Sequence, residues 1–142
     1  MSNAGASAPT WSGYHHLTLN VQDVERSAQW YCDVLGFTRL TSYATDAFER
    51  VILFHRDSGV TLGVNRHHTP EAAEPFDERR AGLDHLALRV ADRHALEAWV
   101  ARFDEFGVQH SAVKPAAVPG SFLVVFRDPD GTQLEMFAPV PT

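Results

Sequence analysis

The sequence predicts an α+β fold of two repeated βαβββ modules whose paired sheets enclose a cavity. The leading observation is an internal repeat, because residues 16–23 (HLTLNVQD) return as residues 85–92 (HLALRVAD) at an offset of 69. A second match, at an offset of 72, relates residues 54–63 (FHRDSGVTLG) to residues 126–135 (FRDPDGTQLE). Each copy joins one amphipathic helical pattern to several strand patterns. A sheet covered by its helix on one face is expected to bury its other face against the twin sheet.

The first module is predicted to open with a strand, because apolar Leu17 and Leu19 alternate with polar residues. Asp23 is the expected N-cap of a helix over residues 24–35, in which apolar residues recur every three or four positions. Gly36 provides the left-handed residue that ends such a helix. Three further strands are predicted over residues 38–43, 49–55 and 60–65.

The second module is predicted to follow the same order. A strand over residues 83–90 precedes Asp92, the expected N-cap of a helix over residues 93–106 that ends at Gly107. The sequence DPDG at residues 128–131 is a strong turn signal between the last two strands. The remaining strands are predicted over residues 108–113, 121–127 and 132–138.

These elements predict one domain over residues 14–139, divided into modules at 14–66 and 83–139. The connection between the modules, over residues 67–82, is long for a compact domain and is expected to be a linker or a lid.

Two segments are expected to lie outside the packed modules. His67 and His68 stand at the start of the connection, where an exposed pair is the simplest expectation. Residues 1–13 are expected to form a disordered N-terminus, in which residues 2–4 (SNA) resemble the remnant of an expression tag.

Composition narrows the possible partners and compartment. The net charge of −6 and the absence of a basic stripe argue against nucleic acid. No apolar run is long enough for a membrane span, so no membrane partner is expected. Cys32 is the only cysteine, which excludes an internal disulfide and favours a reducing, cytoplasmic location.

The alternation of side chains along strands assigns three metal-ligating residue types to one side of the fold. His16, His85 and Glu135 are all predicted to face the cavity, and the fourth equivalent position is Gly63. Two imidazoles and a carboxylate suit a divalent first-row metal such as Fe, Mn, Ni, Zn or Co. Three protein ligands leave coordination positions for a small-molecule substrate, so the set predicts a catalytic rather than a structural site.

Other cavity-side positions are predicted to contact the substrate. This set comprises Thr18, Asn20, Gly63, Arg89 and Gln133. Arg89 and Lys114 are the candidates for contact with an anionic substrate group. No side chain of the set is singled out as a catalytic acid or base.

Four motifs resemble the vicinal oxygen chelate superfamily, which includes glyoxalases, extradiol dioxygenases, fosfomycin-resistance thiol transferases and bleomycin-sequestering proteins. They are HLTLNVQD at 16–23, WY…LGF at 30–37, DHLAL at 84–88 and FRDPDGTQLE at 126–135. The resemblance implies the glyoxalase/bleomycin resistance/dioxygenase fold and a substrate that chelates the metal through adjacent oxygens. It also places His16, His85 and Glu135 at the ligand positions of the family.

The resemblance implies a metal-dependent lyase or dioxygenase without assigning the reaction. A glyoxalase I activity is disfavoured, because Gly63 stands where those relatives carry a second carboxylate that acts as ligand and base. The dioxygenase signature has a tyrosine where this chain has Phe126, and the fosfomycin enzymes carry a basic residue beyond the last strand, where this chain has none after Arg127. The alternative is a non-catalytic protein that sequesters a drug or metabolite, as bleomycin-resistance proteins do.

A homodimer is expected from the same resemblance. The cavity in this superfamily forms either between the modules of one chain or between modules exchanged across two copies, and the connection of this chain is long enough for both.

Overall fold

The computed structural model describes residues 5–142, so the predicted tag remnant at residues 2–4 lies outside the described residues. The first βαβββ unit consists of β1 (His16–Asn20), α1 (Val24–Leu35), β2 (Thr38–Ala44), β3 (Phe48–His55) and β4 (Val60–His67). The second consists of β5 (Leu86–Arg89), α2 (Arg93–Glu105), β6 (Lys114–Pro115), β7 (Phe122–Arg127) and β8 (Gln133–Ala138). A single 3₁₀ turn at Pro70–Ala73 lies in the connection between them.

Each unit forms a four-stranded mixed sheet with the same strand order. The orders are β1-β4-β3-β2 and β5-β8-β7-β6, in which the first pair is parallel and the others are antiparallel. This topology confirms the predicted α+β fold of two repeated modules.

The helices begin and end within one residue of the positions that the sequence predicts. Asp23 Oδ1 accepts a hydrogen bond from the Arg26 amide at 3.0 Å, and Asp92 Oδ1 accepts one from the Ala95 amide at 2.9 Å. Gly36 follows α1 with φ 79°, a conformation that glycine adopts without steric cost. Side-chain caps therefore satisfy amide groups that the first helical turn leaves without partners.

The strand predicted over residues 108–113 is wrong. Only an isolated bridge joins His110 to Phe126, and β6 is the two-residue pair Lys114–Pro115. Side-chain bonds replace part of the ladder, because the Val125 amide donates to Ser111 Oγ at 3.0 Å. Pro115 has no amide hydrogen with which to extend the pairing.

One face of each sheet is buried against its own helix. Helix α1 packs on β3 and β4, and α2 packs on β7 and β8. In the first sheet the fully buried side chains of this face are Leu19, Val51, Leu53, Leu62 and Val64. In the second they are Val124, Phe126, Leu134 and Met136. Burial alternates residue by residue along β7 and β8, as expected for strands with one covered face.

The two modules meet through the turn between β7 and β8. The Tyr31 hydroxyl donates to Asp128 at 2.8 Å, and the Ser27 hydroxyl donates to Asp130 at 3.1 Å. Both aspartates are buried, and the Gln22 amide also donates to Asp130 at 2.6 Å. The joint therefore involves the helical side of the sheets, and the opposite faces of both sheets stay partly exposed within one chain.

No helix within residues 5–142 combines the length and apolar character that a membrane crossing requires.

Candidate metal and substrate site

The predicted site residues lie on the open faces, defined here as the sheet faces that α1 and α2 do not cover. On the first sheet, strand register pairs His16 with Thr61, Thr18 with Gly63, and Asn20 with Asn65. On the second, it pairs Ala87 with Glu135 and Arg89 with Phe137. The register therefore places these strand residues on the sheet faces that the alternation in the sequence predicts.

His85 and Glu135 come together on the second sheet. His85 Nε2 lies 3.8 Å from Glu135 Oε2, and His85 Nδ1 lies 2.6 Å from Asp84 Oδ1. Because the carboxylate of Asp84 accepts a hydrogen bond from Nδ1, a neutral ring carries its proton on Nδ1. The lone pair then lies on Nε2, the nitrogen that faces Glu135. This pair supplies two of the three donors that the sequence predicts.

Asp84 belongs to a hydrogen-bonded chain that fixes the imidazole of His85. The side-chain amide of Gln133 donates to Asp84 Oδ1 at 3.1 Å, and Arg127 donates to Gln133 Oε1 at 3.2 Å. Arg127 forms a bidentate ion pair with Glu78 of the connection, with N–O distances of 2.9 and 3.1 Å. Gln133, predicted to contact substrate, therefore supports His85, a predicted ligand, through Asp84.

The pKa of His85 is raised in this environment. The hydrogen bond to Asp84 is the main cause, burial opposes it, and the charge of Glu135 adds to it. A metal ion bound through Nε2 would have to displace the proton that this nitrogen carries in the protonated ring, so binding would release a proton below the pKa of His85.

His16 stays apart from the other two predicted ligands within one chain. It is exposed at the start of β1, and its Nδ1 lies 2.8 Å from Nδ1 of the neighbouring His15. Across residues 5–142, no three metal-capable side chains cluster closely enough to hold an ion. The chain therefore presents the predicted ligands as two halves on two separate sheet faces.

Gly63 has a packing reason to be glycine. A Cβ at this position would lie 2.7 Å from Thr18 Oγ1 and 3.3 Å from Thr18 Cβ. Thr18 thus fills the space into which any larger residue at the fourth ligand position would project.

The remaining substrate and anion candidates have separate environments. Asn20 Oδ1 accepts a hydrogen bond from Asn65 at 3.1 Å. Arg89 and Lys114 are exposed. His67 is exposed and packs edge-on against the ring of Phe48, and His68 Nδ1 lies 3.1 Å from the carbonyl oxygen of Asp46.

Two functional candidates, Asp84 and Arg50, are absent from the sequence prediction. Arg50 and Asn65 stand opposite each other on β3 and β4, and Arg50 Nε donates to Asn65 Oδ1 at 3.0 Å. Asp84 precedes a predicted ligand histidine, which is a signal that sequence reasoning could have used. No sequence pattern singled out Arg50, because its contact with Asn65 depends on the pairing register of β3 with β4.

A cavity of about 530 Å³ lies between residues of the two modules, and Arg89 is the one predicted substrate residue that lines it. Its lining is mostly apolar and includes Leu35, Phe37, Val90, Trp99 and Met136, with His55 and Ser58 at its polar edge. Its volume is within the usual range for a small-molecule site.

Known proteins resemble the chain in sequence over nearly its whole length. An uncharacterised protein, YaeR of Escherichia coli K12, is 30% identical over 131 residues, which is 87% of this chain and 93% of that protein. Catechol-2,3-dioxygenase of Bacillus subtilis 168 is 31% identical over 137 residues, which is 93% of this chain and 42% of the dioxygenase. The chain thus spans less than half of that enzyme.

The fold has a close counterpart among solved structures. A glyoxylase/bleomycin resistance protein/dioxygenase domain from Frankia sp. EAN1pec superposes with a TM-score of 0.81 at 26% identity, over 91% of this chain and 93% of that one. The sequence profile of one family matches residues 13–136. The chain therefore belongs to the Glyoxalase/Bleomycin resistance protein/Dioxygenase superfamily.

Proposed function

We propose that the protein is a metal-dependent enzyme that binds a small substrate through two adjacent oxygen atoms, as a lyase or dioxygenase of this superfamily. The observation that carries the proposal is the pair of donors on the second sheet. His85 Nε2 and Glu135 Oε2 lie 3.8 Å apart, and Asp84 engages the other ring nitrogen of His85.

This donor set fits a divalent first-row metal. Metal–nitrogen and metal–oxygen bonds of about 2.0–2.2 Å allow one ion to contact two donors at this separation. A carboxylate bonded to the far nitrogen of a ligating histidine is the usual support for such a ligand. When bound, the metal (Fe, Mn, Ni, Zn or Co) supplies Lewis-acid stabilisation of negative charge on the chelating oxygens.

The third ligand in this proposal is His16 of a second copy. Three observations support a site shared in this way. His16 is exposed, and the open faces of both sheets are uncovered. Within one chain the modules contact each other through α1, on the side opposite the open faces. A homodimer in which the first open face of one copy meets the second open face of the other would bring both halves together. Such exchange gives two identical sites per dimer by symmetry.

The side chains around the site have distinct parts in the proposal. Asp84 and Gln133 hold the imidazole of His85, Thr18 borders the substrate space, and Asn20 forms the polar end of β1. Phe126 is fully buried against the helical side, so this position offers no acid–base group to the open face. The proton-transfer residue is left unassigned.

Metal analysis of protein purified without chelator tests the proposal. We expect about one divalent ion per chain, falling below about 0.1 in His85→Ala and in Glu135→Ala, because loss of one donor from a three-ligand site removes most of its affinity. His94→Ala is the matched control, since that side chain is 93% exposed on α2. A metal content below about 0.1 in the wild type, unchanged by the variants, would contradict the proposal.

The second candidate is a binding protein that sequesters an apolar drug or metabolite. The mostly apolar cavity of about 530 Å³ between the modules favours it, because binding there needs no metal. Thermal stabilisation of metal-free protein by an apolar compound, lost when Trp99→Ala opens the cavity, would support this candidate. Stabilisation that requires metal would support the enzyme.

A further inference from the structure

Arg50 stands on the open face of the first sheet in a fixed orientation. Its Nε donates to Asn65 Oδ1 at 3.0 Å, and its Nη1 donates to the Tyr43 hydroxyl at 2.9 Å. The guanidinium carbon lies 4.5 Å from the ring centroid of Phe48 and 5.7 Å from that of Tyr43. Aromatic faces and two hydrogen bonds therefore hold a planar cation in one place.

The groups that hold Arg50 are all neutral. Asn65 is 1% exposed. Its side-chain amide nitrogen donates to Asn20 Oδ1, and this orientation directs its oxygen toward Arg50. Within residues 5–142 no carboxylate lies within 4.0 Å of the Arg50 guanidinium, and its Nη2 donates to no described group. Five other arginines have a carboxylate within that distance, namely Arg26, Arg39, Arg79, Arg80 and Arg127. Arg50 shares the lack of one with the remaining arginines and is distinguished by its two neutral hydrogen-bond partners and two aromatic neighbours.

A fixed cation with unused donors is suited to a planar or tetrahedral anion. Arginine binds carboxylate and phosphate oxygens through two parallel hydrogen bonds, and the entropic cost of ordering the side chain is already met here. We propose that Arg50 is an anion-binding residue for a carboxylate or phosphate group of the substrate.

The register places Arg50 away from the predicted metal ligands. The row Asn20–Asn65–Arg50 follows the row of His16 by four residues, or about 13 Å along the strands, and β3 is two strands, or about 10 Å, from β1. The anionic group is therefore separated by several bonds from the oxygens that chelate the metal. This statement about the substrate rests on the proposed function, whereas anion binding by Arg50 does not.

Anion binding is tested on the full chain without metal. The probes are inorganic phosphate and acetate. Binding is followed by the NMR shift of the Arg50 Nε–Hε pair in the wild type and by that of the Asn65 side-chain amide in both the wild type and the variant. We expect a saturable shift in the wild type and its loss in Arg50→Gln. Arg93→Gln is the matched control, because its guanidinium carbon lies 4.7 Å from the Phe122 ring on the other module. Identical shifts in the wild type and in Arg50→Gln would overturn the proposal.

A second variant keeps the test decisive if Arg50→Gln does not fold. Tyr43→Phe removes one hydrogen bond from Nη1 without changing the charge, and Tyr43 is exposed. We expect weaker phosphate binding with the thermal unfolding temperature little changed. Unaltered phosphate affinity in this variant would show that the fixed orientation of Arg50 has no role in anion binding.

The position of the anion is tested on metal-loaded protein with three catechols, carrying a propionate arm, a phosphonate arm or an uncharged ethyl arm. We expect at least one charged probe to bind about tenfold or more tightly than ethylcatechol, as a charge-assisted hydrogen bond allows. Arg50→Gln should abolish this preference and leave the affinity for ethylcatechol and metal unchanged. Equal affinities in the wild type would overturn the inference about the substrate. Failure of all three catechols to bind would count against the proposed chelation, while the phosphate titration still decides the role of Arg50.

Discussion

At the scale of single residues, Asp84 engages Nδ1 of His85 and leaves Nε2 for the proposed metal. Its carboxylate lies 2.6 Å from His85 Nδ1 and itself accepts a hydrogen bond from Gln133. Asp84→Asn should weaken metal affinity about 10–100-fold, the usual cost of removing such a supporting carboxylate. Calorimetric titration with Zn²⁺ measures the change. The control is Asp33→Asn, which removes a carboxylate that accepts only from Gln29 and should leave metal affinity unchanged. Equal metal affinities in the wild type and both variants would show that Asp84 does not orient His85.

Gly63 is a residue whose role depends on its partner Thr18. The Cβ of Gly63→Ala would overlap Thr18 Oγ1, so this substitution should lower the free energy of unfolding by about 1–3 kcal/mol. Thr18→Ala removes the overlapping atoms, and the double variant should recover most of the loss. Urea unfolding of both single variants and the double variant measures this coupling. Additive effects would mean that Gly63 is glycine for another reason.

The sequence could identify Gly63 as a broken ligand position but could not explain it. The internal repeat aligned Gly63 with Glu135, and that alignment needs no coordinates. Its contact with Thr18 depends on the parallel register of β1 and β4, which joins residues 45 positions apart. Arg50 escaped prediction for the same reason, because its partners lie on two other strands.

At the scale of elements, the turn between β7 and β8 fastens the second module to α1. Tyr31→Phe removes the hydroxyl that donates to the buried carboxylate of Asp128 and should cost about 1.5–3 kcal/mol of unfolding free energy, as expected for a hydrogen bond to a charged group. Chemical denaturation measures the loss. Tyr14→Phe, which alters a fully exposed ring, should change nothing. Equal stability of the two variants would show that this bond does not hold the modules together.

His110 links the last turn of α2 to the segment that follows. Its Nε2 lies 2.6 Å from Asp104 Oδ1 and its Nδ1 lies 2.6 Å from the Ser111 carbonyl oxygen, so both nitrogens face acceptors and the protonated ring satisfies both. The bond to Asp104, followed by that to Ser111, raises the pKa of His110 above its ordinary value of 6.5.

The sign of the resulting pH dependence follows from this direction. A histidine with a raised pKa in the folded state contributes its full stability below the pKa of the unfolded chain and loses it as the pH rises through the folded pKa. Unfolding free energy should therefore decline from pH 6.5 upward. Because His85 also titrates with a raised pKa, the contribution of His110 is the difference between the wild type and Asp104→Asn. Parallel pH profiles of the two proteins would rule this contribution out.

Helices were more predictable than the strands at the edge of the second sheet. Caps, apolar periodicity and terminal glycines are local signals, and they placed both helices to within one residue. The segment 108–113 has the composition of a strand, but Ser111 and His110 use side-chain and backbone bonds that compete with the ladder. This competition is decided by tertiary contacts and leaves no local sequence pattern.

At the scale of the whole molecule, the internal repeat predicted the architecture more fully than it predicted the site. It predicted two modules with the same order of elements. It also predicted that His16, His85 and Glu135 face one cavity, whereas one chain carries His16 on the first sheet and Glu135 on the second. The contacts between the two modules decide whether the two open faces meet within one chain or between two copies. These contacts join Tyr31 and Ser27 to the DPDG turn, which lies in a distant segment.

The central claim is a metal site shared between two copies, and a complementation experiment tests it most directly. His16→Ala and Glu135→Ala chains with different tags are co-expressed, and the mixed dimer is isolated through both tags. In an exchanged dimer one site keeps all three ligands and the other loses two, so the mixed dimer should bind about one metal per two chains while each variant alone binds almost none. Metal content in the mixed dimer no higher than in the separate variants, or a monomeric wild-type chain that holds metal, would contradict the claim.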